Sequence, residues 1–331
     1  MDNEAADEGH ADQEPDERNG GWTSDYASSV SEASFCSVSS SVNAHVWEYG
    51  RRYQIFRYGR YPIPNDDEEF KRETFKHVMF KEMLHGKLYL APLNETPQKV
   101  IDLGTGFGEW AIEFGDAFPS ARVLGVDLSP IQPMWLPPNV EFVVDDIEDE
   151  WAQDSDFDYV HSRSVFVFLK DAQKVILSAF RNMKPGGWIE FLEFFGQPGC
   201  ADGTLPTDSP FIKFFDVLRQ VFIDVYGFDI NIAEKLPAKL EQAGFVNIQH
   251  KVYHLPIGDW PKDKHLRTVG VYCREVVEEL LSAAAAKPFS DAGIEKTEAN
   301  ELLQEARAVL FNKRVHAYMP AYIIWAQRPE R

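Results

Sequence analysis

The order of apolar and polar positions divides the chain into unequal parts. Residues 1–43 are rich in Asp and Glu and then in Ser, with too few large apolar side chains to offset the entropy of ordering, so this stretch is expected to be a disordered acidic, serine-rich tail. Residues 44–331 are expected to form one domain. Within it, 46–98 reads as an N-terminal lid and helix, 99–195 as a ligand-binding core, and 196–331 as a substrate cap with C-terminal strands.

In the first of these segments, aromatics and arginines alternate without clean periodicity from Val46 to Pro64. Helical spacing then runs from Asp67 to Leu84 through Phe70, Phe75, Val78, Met79 and Met83. The core begins at Lys99, where Val100 to Leu103 reads as a strand, followed by a glycine-rich turn and a helix from Trp110 to Phe118. Further strands are expected at Val123–Asp127, Val140–Val144 and Phe157–His161, with a helix near Ala172 to Met183. Pro185-Gly186-Gly187 should turn the chain into a fifth strand, Trp188 to Phe194. Later helices are expected at Phe211–Tyr226, Ile232–Ala243, His265–Ala286 and Thr297–Phe311, and later strands at Val246–Leu255 and Ala321–Ala326. Such alternation implies an α/β fold: a Rossmann-like, seven-stranded, mostly parallel sheet with helices on both faces and added helical cap insertions. Ligands of such sheets bind at the carboxyl ends of the strands.

Charge narrows the partners. A formal net charge of −20 repels polyanions, so direct nucleic-acid binding would need a local basic patch. The densest basic stretch, Arg51, Arg52, Arg57 and Arg60, is interleaved with five aromatics and reads as a lid, or as a place to stack on a base-bearing ligand. The three cysteines, Cys36, Cys200 and Cys273, are far apart and match no metal-ligand spacing. No stretch has the basic n-region of a secretory signal or the apolar length of a membrane span, which leaves cytoplasm or nucleus as the expected location and no membrane partner.

The candidate chemistry lies at three strand ends. Asp102-Leu103-Gly104-Thr105-Gly106-Phe107-Gly108 is a D-x-G-x-G-x-G turn, whose glycines let the backbone approach a ligand closely. A dinucleotide-binding turn would want a glycine where Glu109 stands, which disfavours an NAD-dependent oxidoreductase. Asp102 and Glu109 suit a ligand with an ammonium group. Asp127, ending the second strand and followed by Leu128, can accept hydrogen bonds from both hydroxyls of a ribose; alternatively it caps the next segment beside Ser129 and Pro130. Asp146 can accept from an adenine amino group, with Ile147 against the ring. The run Asp145 to Glu150 can instead be a solvated loop or hold a hard cation, although it lacks the spacing of a calcium loop.

These strand ends, with Gly104, Gly106 and Gly108, resemble the class I methyltransferases that depend on S-adenosyl-L-methionine (SAM). A closer likeness covers most of the chain. Tyr49-Gly50-Arg51-Arg52-Tyr53, Pro64-Asn65-Asp66, Val160-His161-Ser162-Arg163, Lys184-Pro185-Gly186-Gly187-Trp188, Leu255-Pro256-Ile257-Gly258-Asp259-Trp260-Pro261 and Tyr318-Met319-Pro320-Ala321-Tyr322 resemble the fungal LaeA-like methyltransferases. The resemblance implies a fungal origin and a role in secondary metabolism, as an enzyme methylating a small-molecule intermediate or as a nuclear regulator acting with velvet-type protein partners. Ile147 departs from the acidic or small residue usual in the family after those aspartates.

Methyl transfer from a sulfonium is an in-line displacement for which positioning and charge supply most of the catalysis. If the acceptor is a hydroxyl, a base helps. His161, at the end of the fourth strand, can face the methyl group, or be a structural histidine bonded to Tyr53 or Arg163. Glu193, ending the fifth strand, is the second catalytic candidate. Tyr49 and Tyr53 can close over the cofactor, their ring faces favouring its positive sulfur, or pack as ordinary parts of an N-terminal segment.

Overall fold

A computed structural model of the chain describes residues 45–151, 155–200 and 202–330. The expected tail, residues 1–43 with Cys36, lies outside the described residues.

The structure begins with a hairpin, β1 (His45–Glu48) and β2 (Arg51–Gln54), and then α1 (Asp67–Met83). The sheet and its helices follow in the order β3 (Lys99–Leu103), α2 (Glu109–Ala117), β4 (Arg122–Asp127), β5 (Val140–Val144), β6 (Phe157–Arg163), α3 (Ala172–Asn182) and β7 (Met183–Phe194). The C-terminal part adds β8 (Gly199–Cys200), α4 (Pro210–Asp224), α5 (Ile232–Ala243), β9 (Val246–Pro256), α6 (Lys264–Asp291), α7 (Lys296–Leu310) and β10 (Ala317–Gln327).

Strand order is β5-β4-β3-β6-β7-β10, with β9 on the far side of β10. The five strands from β5 to β7 run parallel, and β10 runs antiparallel to both β7 and β9. The sheet therefore has the expected seven positions. An eighth strand, β8, arises because the chain leaving β7 pairs again with Ala317 and Tyr318, before β7's own pairing begins at Ala321. Expected and observed boundaries differ most at β7, which starts at Met183 and includes Pro185-Gly186-Gly187, and at α6, which runs on to Asp291; β10 starts four residues early, at Ala317.

Alternation along the strands sorts the core into two layers. Val100, Val123 and Tyr159 point to the face covered by α2, α4, α6 and α7, where Phe114, Phe214 and Val277 pack. Ile101, Leu124 and Val160 point to the opposite face, against Val175 and Ile176 of α3 and Leu236 and Leu240 of α5. Sequence signals end these helices where expected. Ser209 caps α4 by accepting from the Ile212 N–H, with Pro210 at the first helical position, and Gly244 ends α5 in the left-handed region.

The hairpin was not anticipated, because its signal is two residues. Tyr49 and Gly50 both take positive φ, 52° and 79°, as a tight two-residue hairpin turn requires. Arg51 anchors the hairpin to α1 by a two-pronged ion pair, Nε to Asp66 Oδ2 at 2.6 Å and Nη2 to Oδ1 at 2.8 Å. Asp66 also caps α1 by accepting from the Glu69 N–H, so the Tyr49–Tyr53 and Pro64–Asp66 motifs form one structural clip.

Several buried carboxyls have raised pKa, among them Asp127, Glu190 and Glu193. Glu190 of β7 accepts from the Leu90 and Ala91 N–H groups, yet burial pushes its pKa to about 7. A carboxyl whose folded pKa lies above its unfolded value binds an extra proton in the native state, so it loses stability as pH rises through the folded pKa. Acidification from pH 8 to 6 is therefore expected to raise the thermal midpoint. Glu190→Gln should reduce that rise by a share worth about 1.4 kcal/mol over this range, measured by calorimetry across pH; an unchanged pH slope in the variant would contradict the assignment.

Candidate functional site

The carboxyl ends of β3, β4, β5 and β6 open into a crevice of about 860 Å3, counted out to its mouth. Its walls include Gly104, Gly106, Asp127, Leu128, Asp146 and Ile147 from the expected set. They also include Arg60, Tyr61, Asn65, Glu73, Lys76, Arg163, Ser164 and Phe168, none of which was singled out as a ligand-binding residue from sequence.

The turn after β3 is held from below. Asp102 is buried and both its oxygens are engaged: Oδ2 accepts from Thr105 Oγ1 at 2.7 Å, and Oδ1 lies 2.7 Å from His161 Nδ1. Asp102, Thr105 and His161 thus form a clamp joining β3, the turn and β6, and none of them lines the crevice. Gly108 starts α2 in the left-handed region at φ 83°, and a Cβ there would stand 2.3 Å from the Phe142 ring. Its glycine serves packing against β5. Gly106, with φ 58°, has nothing within 4 Å of where a Cβ would project. Open space lies over that backbone, as close ligand approach demands.

Asp127 bridges two loops. Its Oδ2 accepts from the Gly106 N–H at 2.8 Å, and its Oδ1 from the Ser129 N–H at 2.9 Å. Burial outweighs these bonds and raises its pKa to about 6. Each oxygen keeps a further lone pair for a donor from the crevice.

The third strand end is clipped by the N-terminal segment. Arg60 Nε lies 3.2 Å from Asp146 Oδ2, its Nη2 contacts Glu148, and Arg57 pairs with Asp149. The acidic run after β5 therefore neutralises arginines rather than gathering round a cation. No cluster able to hold a metal ion occurs among the described residues.

His161 departs from the expectation that it faces the methyl group. Its ring stacks on Trp110 with centroids 3.6 Å apart and planes within 6°, and burial lowers its pKa against the opposing pull of Asp102. Its partners are Asp102 and Trp110 rather than Tyr53 or Arg163. Tyr49 and Tyr53 also lie off the crevice. Tyr49 is 55% exposed at the hairpin turn, Tyr53 is buried, and the Lys287 ammonium sits over both rings.

Arg163, the last residue of β6, is the principal site residue that sequence reasoning missed. Its guanidinium lines the crevice, contacts His77 Nδ1 at 3.1 Å and lies over the Phe80 ring. Among the described residues no carboxylate comes within ion-pair distance of it, and burial lowers its pKa. Glu73, Asp102, Glu109 and Glu113 act on it only from beyond ion-pair distance, and a desolvated cation lacking a direct partner is costly, so this one favours an anionic ligand group. The motif Val160-His161-Ser162-Arg163 carried the signal, but as a family likeness without a role for the arginine.

A second cavity adjoins the first, sharing Tyr61, Lys76, Ser164 and Phe168 with it. It lies under α4 and α6, and Glu193 is in its wall.

Residues 75–202 match a family profile described as a methyltransferase domain. The chain is 36% identical over 300 residues to methyltransferase pytC of Aspergillus terreus, covering 90% of this chain and 92% of that one. It is 33% identical over 297 residues to the secondary metabolism regulator LAE1 of Cochliobolus heterostrophus, covering 87% and 96%. The protein-methionine methyltransferase laeA of Emericella nidulans is 31% identical over 290 residues, covering 86% and 76%. Identity at this level along nearly the whole chain, joined to the strand order and the glycine turn above, places the protein in the LaeA-like group of SAM-dependent class I methyltransferases.

Proposed function

We propose that the chain transfers the methyl group of SAM to a small-molecule intermediate of secondary metabolism, with the crevice at the ends of β3 to β6 as the cofactor site. The observation that carries this reading is the convergence of three chemistries on one cleft. The open backbone at Gly106, the carboxylate of Asp127 and the unpaired guanidinium of Arg163 match an amino-acid group, a ribose and a carboxylate in turn. Gly106 gives the close backbone approach, with Gly104 packed on Val165 beside it, Asp127 accepts from the ribose hydroxyls with Leu128 alongside, and Arg163 pairs with the cofactor's carboxylate. Asp146 and Ile147 border the adenine, with Arg60 holding Asp146 in place. Asp102, Thr105, Gly108 and His161 act behind the wall, by fixing the turn. Bound there, SAM supplies an electrophilic methyl group.

The segment 46–98 serves as the lid and the elements after residue 196 as the acceptor cap. Support for a small acceptor is the apolar second cavity beside the crevice, which a large protein substrate would not need. The alternative is a nuclear regulator that works through velvet-type protein partners. Among the described residues no helix is long and apolar enough to cross a membrane.

Asp127→Ala is expected to weaken SAM binding by about 1.5 to 3 kcal/mol, the scale of hydrogen bonds to a charged group, and Arg163→Met by a similar amount. Isothermal titration checks both, and unchanged affinities would remove these two residues from the site. Gly106→Leu should abolish binding while the circular dichroism spectrum stays native. Labelled SAM incubated with extract from a strain lacking the gene should yield a labelled small product; label confined to protein would favour the regulator.

A further inference from the structure

Ser164 stands where the two cavities meet, and Glu193 lies in the wall of the second. Glu193 is 1% exposed. Its Oε1 accepts from the Val165 and Phe166 N–H groups, both at 2.9 Å, while Oε2 accepts no hydrogen bond among the described residues. Ser164 lies in the wall of both cavities, its hydroxyl is buried with no partner among the described residues, and its φ is +58°. A serine held in that sparsely populated region, with an orphaned hydroxyl, is costly unless something fills the site.

Most of the remaining wall of the second cavity is apolar, with Phe168, Phe194, Phe215, Leu218, Phe222 and Val277. Aromatic side chains on several sides suit a ring-bearing occupant. Its charged groups are already committed. Lys76 Nζ pairs with Glu73 Oε1 at 2.6 Å, and Arg72 Nε with Glu69 Oε2 at 2.9 Å. An acceptor with its own ionised carboxylate would therefore meet Glu193 without a free cation to offset it.

We infer that the second cavity binds the methyl acceptor, a ring-bearing apolar molecule with a phenolic or enolic hydroxyl, and that Glu193 Oε2 takes the hydroxyl proton while Ser164 Oγ steadies the oxygen. This rests on the reading of the first crevice as the SAM site. In the proton step the acceptor's O–H bond breaks, its electron pair stays on oxygen, and the proton passes to the carboxylate, which later releases it to water. The oxygen is left nucleophilic at the side of the cavity that opens toward the crevice.

Protonation behaviour agrees with that role. Burial raises the Glu193 pKa to about 7, against the lowering effect of its two backbone donors and of Lys76. The other titratable groups around the cavity are Tyr61 and Cys273, both pushed upward by burial, and Lys76 and Arg72 in the pairs above. Asp127, at about 6, lies in the neighbouring crevice, so the Glu193 variant is the necessary control.

The test uses 2-naphthol and naphthalene as probes, titrated into the full-length protein without SAM. At pH 8 the wild type is expected to bind 2-naphthol about tenfold more tightly than naphthalene, as a hydrogen bond to a carboxylate allows. This preference should shrink several-fold on going to pH 6, as Glu193 takes up its proton. Glu193→Gln keeps an oxygen for the two backbone donors and should show a small preference that no longer varies with pH. Leu218→Trp should block both probes. Equal affinity for the two probes in the wild type, or the same pH response in Glu193→Gln, would overturn the assignment. SAM affinity measured on the same samples separates the two readings: normal SAM binding without a naphthol preference sinks the acceptor site alone, whereas absent SAM binding sinks the cofactor site.

Discussion

The site depends on one buried carboxylate. Asp102 lies at the end of β3 with one oxygen on Thr105 and the other on His161 of the adjacent strand. A charge in that position is tolerated only because both oxygens are met by well-placed hydrogen-bond partners. The same bonds fix the path of the glycine turn. From there the consequences run outward: the turn aims the Gly106 N–H at Asp127, and Asp127 in turn holds the loop at Ser129. Trp110 stacks flat on His161 and donates its indole N–H to the Leu88 carbonyl, extending the same rigid unit into the first turn of α2. Loss of the carboxylate would free the turn, the strand end and the helix start together.

Around this rigid floor the walls come from distant parts of the chain. Arg60, Tyr61 and Asn65 reach over from the segment before α1, and the ion pairs of Arg57 and Arg60 fasten it to the acidic run after β5. Helix α1 contributes alternating charges, Glu69, Arg72, Glu73 and Lys76, that neutralise one another in a buried row. Among the described residues the arrangement leaves Arg163 as a cation in the crevice wall without a carboxylate at ion-pair distance, and Glu193 as a carboxyl with a spare oxygen in the wall of the second cavity. One side of the junction thus favours an anionic group and the other a proton donor.

The sheet and the floor of the site were legible in the sequence because they are local. Apolar runs ending in Asp102, Asp127 and Asp146 sit at the strand ends in the order the sheet uses, and the glycines of the turn lie within one segment. What could not be read depends on contacts between remote positions. Nothing in the neighbourhood of His161 announces Trp110, 51 residues earlier, as its stacking partner; the histidine therefore looked free to face the cleft. Tyr49 and Tyr53 lie in an aromatic-rich stretch, but a two-residue turn directs them toward Lys287 of α6. The second cavity is invisible for the same reason, since its walls come from β7, α4 and α6 and each contributes side chains that read as ordinary core.

A crystal structure of the protein with S-adenosylhomocysteine tests the central claim most directly. The account requires the ligand's carboxylate on Arg163, its ribose on Asp127, and its sulfur directed toward the junction with the second cavity. A ligand bound outside the crevice, or one lying in it with Arg163 and Asp127 untouched, would contradict the account.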